Sequence, residues 1–154
     1  MTAGGGSRPA DALETALRGA LEAITFGAVA VTARALQTAG PDLTLPQWRV
    51  LVIVGGSPAG ASVSDVAARL GSELSPASRL IGRMERRGLV ATGKTDPDRR
   101  VTRVRLTDHG RTIRAEVLER RRSLLAEVLA DLRDVDVAGA ELLARIGDAF
   151  HPFV

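Results

Sequence analysis

SDVAARLGSELSPASRLIGRMERRG, residues 64–88, reads as two short helices on either side of a glycine-containing turn. Ser64 predicts the N-cap of a helix over 65–70, with Asp65 favourably placed at the positive end of the helix dipole and Gly71 closing the helix. Gly71-Ser72-Glu73-Leu74 is a tight connection, and Ser75-Pro76 follows as an N-cap plus a proline at the first helical position. The second helix is predicted over 76–87, with Gly88 just past its end. Two short helices joined by a turn of three or four residues that includes glycine make a helix-turn-helix unit. The second helix sorts its residues by face: Ala77, Leu80, Ile81 and Met84 point inward, whereas Ser78, Arg79, Gly82, Arg83 and Arg86 lie outward.

Downstream, 89–95 and 101–106 bracket Asp96-Pro97-Asp98-Arg99-Arg100 and predict a β-hairpin with a charged tip, a wing. Along the second strand Thr102, Val104 and Leu106 alternate with Val101, Arg103 and Arg105, so one face can pack while the other is cationic. Thr107 caps a helix predicted over 108–132, and a last helix is expected over 137–150. Upstream, Thr44-Leu45-Pro46-Gln47 is a capping box that opens a helix running to Val54. From Ala10 to Ala39, Leu13, Leu17, Leu21, Ile24, Ala28 and Val31 recur at steps of three and four, the stripe of a long first helix. Met1 to Pro9 is Gly-rich and expected to be disordered.

The expected fold is therefore mainly α with a small β-hairpin (α+β). A winged helix-turn-helix lobe over 44–107 is flanked by terminal helices over 10–39 and 108–150, in a single domain over 10–154. Those terminal helices carry more apolar surface than one lobe can bury, which predicts a dimer.

Charge placement points to a polyanionic partner. From Ser62 to Arg111 there are 11 Lys or Arg against 6 Asp or Glu, a surplus of five, while the remainder holds 10 against 12. Of the 21 basic residues 20 are arginine, the side chain suited to bidentate recognition of phosphate and guanine. With no cysteine there is no disulfide, thiolate metal site or thiol switch, and His109 and His151, the two histidines, read as surface residues. The longest uninterrupted aliphatic run, Val50 to Val54, is too short to span a membrane, so a cytoplasmic protein is expected. Absent too are a Gly-x-Ser-x-Gly elbow, a Gly-Lys-Ser phosphate loop and a metal-ligand pair at helical spacing. The sequence therefore implies no enzyme and no cofactor.

Ser75-Pro76-Ala77-Ser78-Arg79-Leu80, Met84-Glu85, Gly88-Leu89-Val90, Asp98-Arg99-Arg100 and Leu106-Thr107 with Gly110, in that order and spacing, resemble the MarR family of transcription regulators. The resemblance implies a homodimer whose terminal helices interlock, double-stranded DNA as partner, and repression relieved by a small-molecule effector. It implies that Ser75 to Arg79 (Ser75, Pro76, Ala77, Ser78, Arg79) and Arg83 face bases and phosphates of the major groove, beside Arg86. It further implies that Asp98 orients Arg100, and that Arg99 or Arg100 enters the minor groove. The physics of the elements agrees: a helix fits the major groove, arginine pairs bidentately with guanine, and the amides at Ser75 and Ser64 suit phosphate. A dimer would then read an inverted repeat, its two recognition helices roughly 34–36 Å apart.

Some residues keep two readings. Trp48 is a core residue of the second helix or, since the family's ligand pockets lie between such helices, part of an effector site. Arg49 is a structural ion pair or the counter-charge for an anionic effector. Arg120-Arg121-Arg122 point to different helix faces and read as solvated or dimer-contacting. The wing tip is one residue shorter than a common form of the family, which leaves a protein-interaction or ligand-sequestering module, with the fold but without operator binding, as the alternative function.

Overall fold

A computed structural model describes residues 9–39, 43–94, 102–132 and 136–150. Nine elements follow one another along these residues: α1 (Pro9–Ala39), α2 (Leu45–Gly55), β1 (Ala61–Ser62), α3 (Val63–Leu70), α4 (Leu74–Arg86), β2 (Val90–Lys94), β3 (Thr102–Leu106), α5 (Asp108–Ala130) and α6 (Val137–Ala149). The helix-turn-helix is α3 and α4, and the antiparallel pair β2 and β3 forms the wing, with Val90 opposite Leu106 and Lys94 opposite Thr102. The expected mainly helical fold with a small hairpin is what the chain adopts. The expected disorder over Met1 to Pro9 concerns residues that, Pro9 apart, lie outside the described ones, as do His151 and the wing tip with Asp98, Arg99 and Arg100.

Local chemistry sets most boundaries. At α2 the capping box forms as read: Thr44 Oγ1 accepts from the Gln47 amide and Gln47 Oε1 accepts from the Thr44 amide. The α4 helix ends in a Schellman motif, with the Gly88 amide bonded to the Glu85 carbonyl and the Leu89 amide to the Met84 carbonyl. Gly88 takes φ 67°, the left-handed value that this cap demands and that a side chain resists.

Two helix starts differ from the reading of the sequence. The cap of α3 is Ser62, not Ser64. Ser62 Oγ accepts from the Asp65 amide while Asp65 returns a bond to the Ser62 amide, so the box Ser62-x-x-Asp65 outcompetes a lone serine two residues on. Helix α4 starts at Leu74 with Glu73 as N-cap, two residues before the proline. Proline suits any first-turn position, since no amide there has an intrahelical partner, and Pro76 therefore does not mark the boundary.

A third strand was not foreseen either. β1 pairs with β3, Ala61 opposite Val104 and Ser62 opposite Arg103, giving the sheet order β1-β3-β2. Two residues are too few to show a period of two. At the entry to this strand Gly60 has φ 81°, and a Cβ there would meet the Val104 carbonyl oxygen at 2.8 Å.

The core lies inside the lobe. Leu51, Val50, Val66, Met84, Val90 and Val104 are fully buried, and Val117 from α5 and Ala35 and Leu36 from α1 join the same cluster. The terminal helices are far less satisfied: α6 has no buried residue, and Phe26, Leu129 and Val137 are 79%, 62% and 76% exposed. One helix, Ala10–Thr38, is long and apolar enough to cross a membrane by length and composition alone, which the search for uninterrupted aliphatic runs passes over because Thr, Gly, Glu and Arg interrupt it.

Candidate nucleic-acid interface

Helix α4 buries Ala77, Leu80, Ile81 and Met84 against the core and leaves Ser75, Pro76, Ser78, Arg79, Arg83 and Arg86 exposed. The division follows from the 3.6-residue period, since the four apolar positions occupy one stripe and the arginines the opposite one. Ala77 needs a correction as a contact residue: at 1% exposure its methyl group is part of the lobe's packing and does not reach the surface. The remaining α4 residues named from the sequence form one exposed, cationic face.

Two features prepare that face. Arg79 donates from Nη1 to Ser75 Oγ at 2.8 Å, one turn back, which restricts its long side chain before any partner arrives. Glu73 makes no side-chain cap bond, so the first amides of α4 point outward uncapped, in the arrangement that attracts phosphate. At α3 the situation is reversed, because Ser62 caps the helix and Ser64 Oγ shares a 2.8 Å hydrogen bond with Ser62 Oγ.

The wing is anchored to the recognition helix by a contact that no sequence pattern announced. Glu85 Oε1 accepts from the Thr92 amide at 2.8 Å and from Thr92 Oγ1 at 2.6 Å. β2 is an edge strand, so Glu85 satisfies an amide that faces away from β3. Thr92's hydroxyl and then its amide hold the Glu85 carboxyl below the ordinary range. On the other side of the sheet, Arg103 reaches Asp65 at 4.0 Å, and Ser62's hydroxyl and amide, aided by Arg103, lower the Asp65 pKa. Arg103 and Asp65 are remote in sequence, and only the folded chain juxtaposes them.

Trp48 is 4% exposed and packs in the core, and with Arg49 it also lines a cavity of about 350 Å³ between α1, α2 and Arg121 of α5. Among the described residues Arg49 makes no ion pair. Its guanidinium donates to the carbonyls of Leu70 at 3.2 Å and Arg69 at 2.6 Å, gripping the end of α3 beside the helix-turn-helix turn. Arg121 Nε, in the same cavity, is buried without a hydrogen-bond partner among the described residues.

An exposed arginine face on the second helix of a helix-turn-helix, with a β2–β3 wing in a three-stranded sheet beside it, defines a winged helix-turn-helix protein. Residues 42–101, the segment holding that unit, match the model of the MarR family. The chain is 38% identical over 69 residues to the HTH-type transcriptional repressor IacR of Pseudomonas putida, across 45% of this chain and 41% of that protein. It is 31% identical over 125 residues to the HTH-type transcriptional regulator TtmR of Methylorubrum extorquens (strain PA1), across 72% of this chain and 60% of that one. A solved MarR family protein from Bacillus stearothermophilus is 26% identical, superposes with a TM-score of 0.69, and is matched over 90% of this chain and 94% of its own. In this segment and in its fold the chain is similar to proteins of the MarR family. It spans between 41% and 60% of the length of these two curated relatives.

Proposed function

We propose that the protein is a dimeric, ligand-responsive transcription repressor that binds an inverted-repeat operator. The observation that carries this reading is the sorting of α4, which commits Leu80, Ile81 and Met84 to the core and turns Ser75, Ser78, Arg79, Arg83 and Arg86 outward together. Arg79 and its neighbours at the start of the helix read base edges, Arg83 and Arg86 hold the backbone, and at the wing tip Asp98 orients Arg100 while Arg99 or Arg100 enters the minor groove. Dimerisation through α1, α5 and α6 is supported by the apolar side chains these helices leave exposed, among them Leu17, Phe26, Val128, Leu129, Leu142 and Leu143. The same role accounts for the apolar length of α1, and a cytoplasmic location follows.

The effector site is the cavity beside Trp48. An apolar small molecule with one anionic group fits its lining, which is aliphatic and aromatic apart from Thr32, Arg49 and Arg121. A ligand there would compete for Arg49 and loosen its grip on the end of α3, displacing the turn that sets the angle of α4.

The test is fluorescence anisotropy of the purified protein on DNA from upstream of its own gene and on a scrambled duplex, across a salt series. Affinity for the native duplex on the order of 10³-fold higher, with a steep negative salt slope, is expected. Equal weak binding to this and to genome-selected DNA would overturn operator recognition.

A further inference from the structure

Away from α4, a cavity of about 280 Å³ opens where the root of the wing meets the first turns of α5 and the end of α2. Arg105 of β3 and Arg111 and Arg114 of α5 line it with Val54, Pro58 and Leu106, and no carboxylate is among its lining residues. Three arginine side chains line one concave site, and like charges gathered there favour an anion. Arg111 is partly neutralised by Asp108, and it donates to the Leu106 carbonyl at 2.8 Å.

Arg114 has no such partner among the described residues. Its Nε is shielded from solvent and makes no hydrogen bond among the described residues. A buried guanidinium donor without an acceptor is costly, and such groups are rare in folded chains. The backbone makes room for it: a Cβ on Gly55 would stand 2.6 Å from Arg114 Nε and 2.8 Å from its Cδ, so glycine lets the side chain cross the end of α2.

We infer that this cavity binds a small tetrahedral dianion, either free phosphate or the phosphate head of a small organic ester, between Arg105 and Arg114 with Arg111 at its edge. Forked arginine donors match phosphate oxygens, and the volume, at the lower end for a ligand pocket, selects a head group with little attached. Val54, Pro58 and Leu106 offer an apolar wall to the body of an ester. The bound anion ties β3 to α5 and braces the root of the wing. This site shares no lining residue with the cavity beside Trp48 and lies on different residues from the face of α4.

Isothermal titration with inorganic phosphate and with glycerol 3-phosphate, against sodium chloride at matched ionic strength, tests the inference. Saturable heat from inorganic phosphate is the result expected for a free ion, and saturable heat from glycerol 3-phosphate alone the result for an ester head. Arg105→Gln and Gly55→Ala are each expected to weaken binding about tenfold with unchanged circular dichroism, equivalent to losing one charge-assisted hydrogen bond. Gly55→Ala keeps all three arginines and only displaces Arg114, so it separates a positioned site from general positive charge. An Arg79→Gln/Arg83→Gln double variant is expected to bind like the parent. The inference is overturned if neither titrant gives saturable heat, or if Arg105→Gln and Gly55→Ala leave affinity unchanged while the double variant loses it, which would place the anion on α4.

Discussion

Arg79 carries the proposed base contact. Its bond to Ser75 one turn back restrains the side chain, so less side-chain entropy would be lost on binding. Arg79→Ala is expected to cost about 1–3 kcal/mol of operator affinity and to relax sequence preference, whereas Arg86→Ala weakens all duplexes alike; anisotropy on a panel of single-base variants distinguishes the two. Gly110 is constrained more severely. A Cβ there would lie 1.9 Å from the Leu89 carbonyl oxygen, and that oxygen already accepts from the Thr107 amide, so the backbone cannot give way cheaply. Gly110→Ala should therefore destabilise the fold by about 1–3 kcal/mol in urea unfolding, as overpacking does. The small residue in Leu106-Thr107-x-x-Gly110 was legible as part of the family pattern, but the reason for it is a contact across the fold.

Among the elements, the wing depends on α4 through Glu85. In the unfolded chain that carboxyl titrates at its ordinary 4.5, and Thr92 holds it lower in the fold. Its contribution to stability is thus fully present above about pH 4.5 and is lost as the pH falls through the lowered folded value. Asp65, lowered by Ser62, behaves in the same direction from its ordinary 3.8. Urea unfolding between pH 6 and pH 3, on the order of a few tenths of a unit per step, should show stability falling on the acid side, with a shallower fall in Glu85→Gln. An equal slope in both proteins would remove Glu85 from this role. The amphipathic stripe of α4 was visible in the sequence because a period of 3.6 is a local property. The Glu85–Thr92 tie was not, because it joins a helix to the outer edge of a sheet.

The molecule as a whole leaves its terminal helices half finished. No residue of helix α6 is buried within the chain, and Leu17 and Phe26 of α1 and Val128 and Leu129 of α5 are exposed. Light scattering should give a mass of twice 16.2 kDa at micromolar concentration. Leu142→Glu combined with Leu143→Glu should shift the protein toward monomer and reduce operator affinity together, because a single lobe contacts one half-site. A variant that stays dimeric would show that α6 lies outside the interface.

Legible in the local pattern of the chain are the six helices and the hairpin in order, the helix-turn-helix with its inward and outward faces, the capping box at Thr44 and the stop at Gly88. All of these rest on neighbours within about four residues, the range over which helical periodicity and capping operate. Packing across the fold decided that β1 completes the sheet, that Arg49 holds the end of α3, and that Arg105, Arg111 and Arg114 share a cavity with Val54 and Pro58. Serines at 62 and 64 are equivalent by propensity, and only the reciprocal bond with Asp65 separates them. The contacts across the fold join elements distant in sequence, α2 with α3 and α5 and β1 with β3, where packing, not local preference, selects which groups meet.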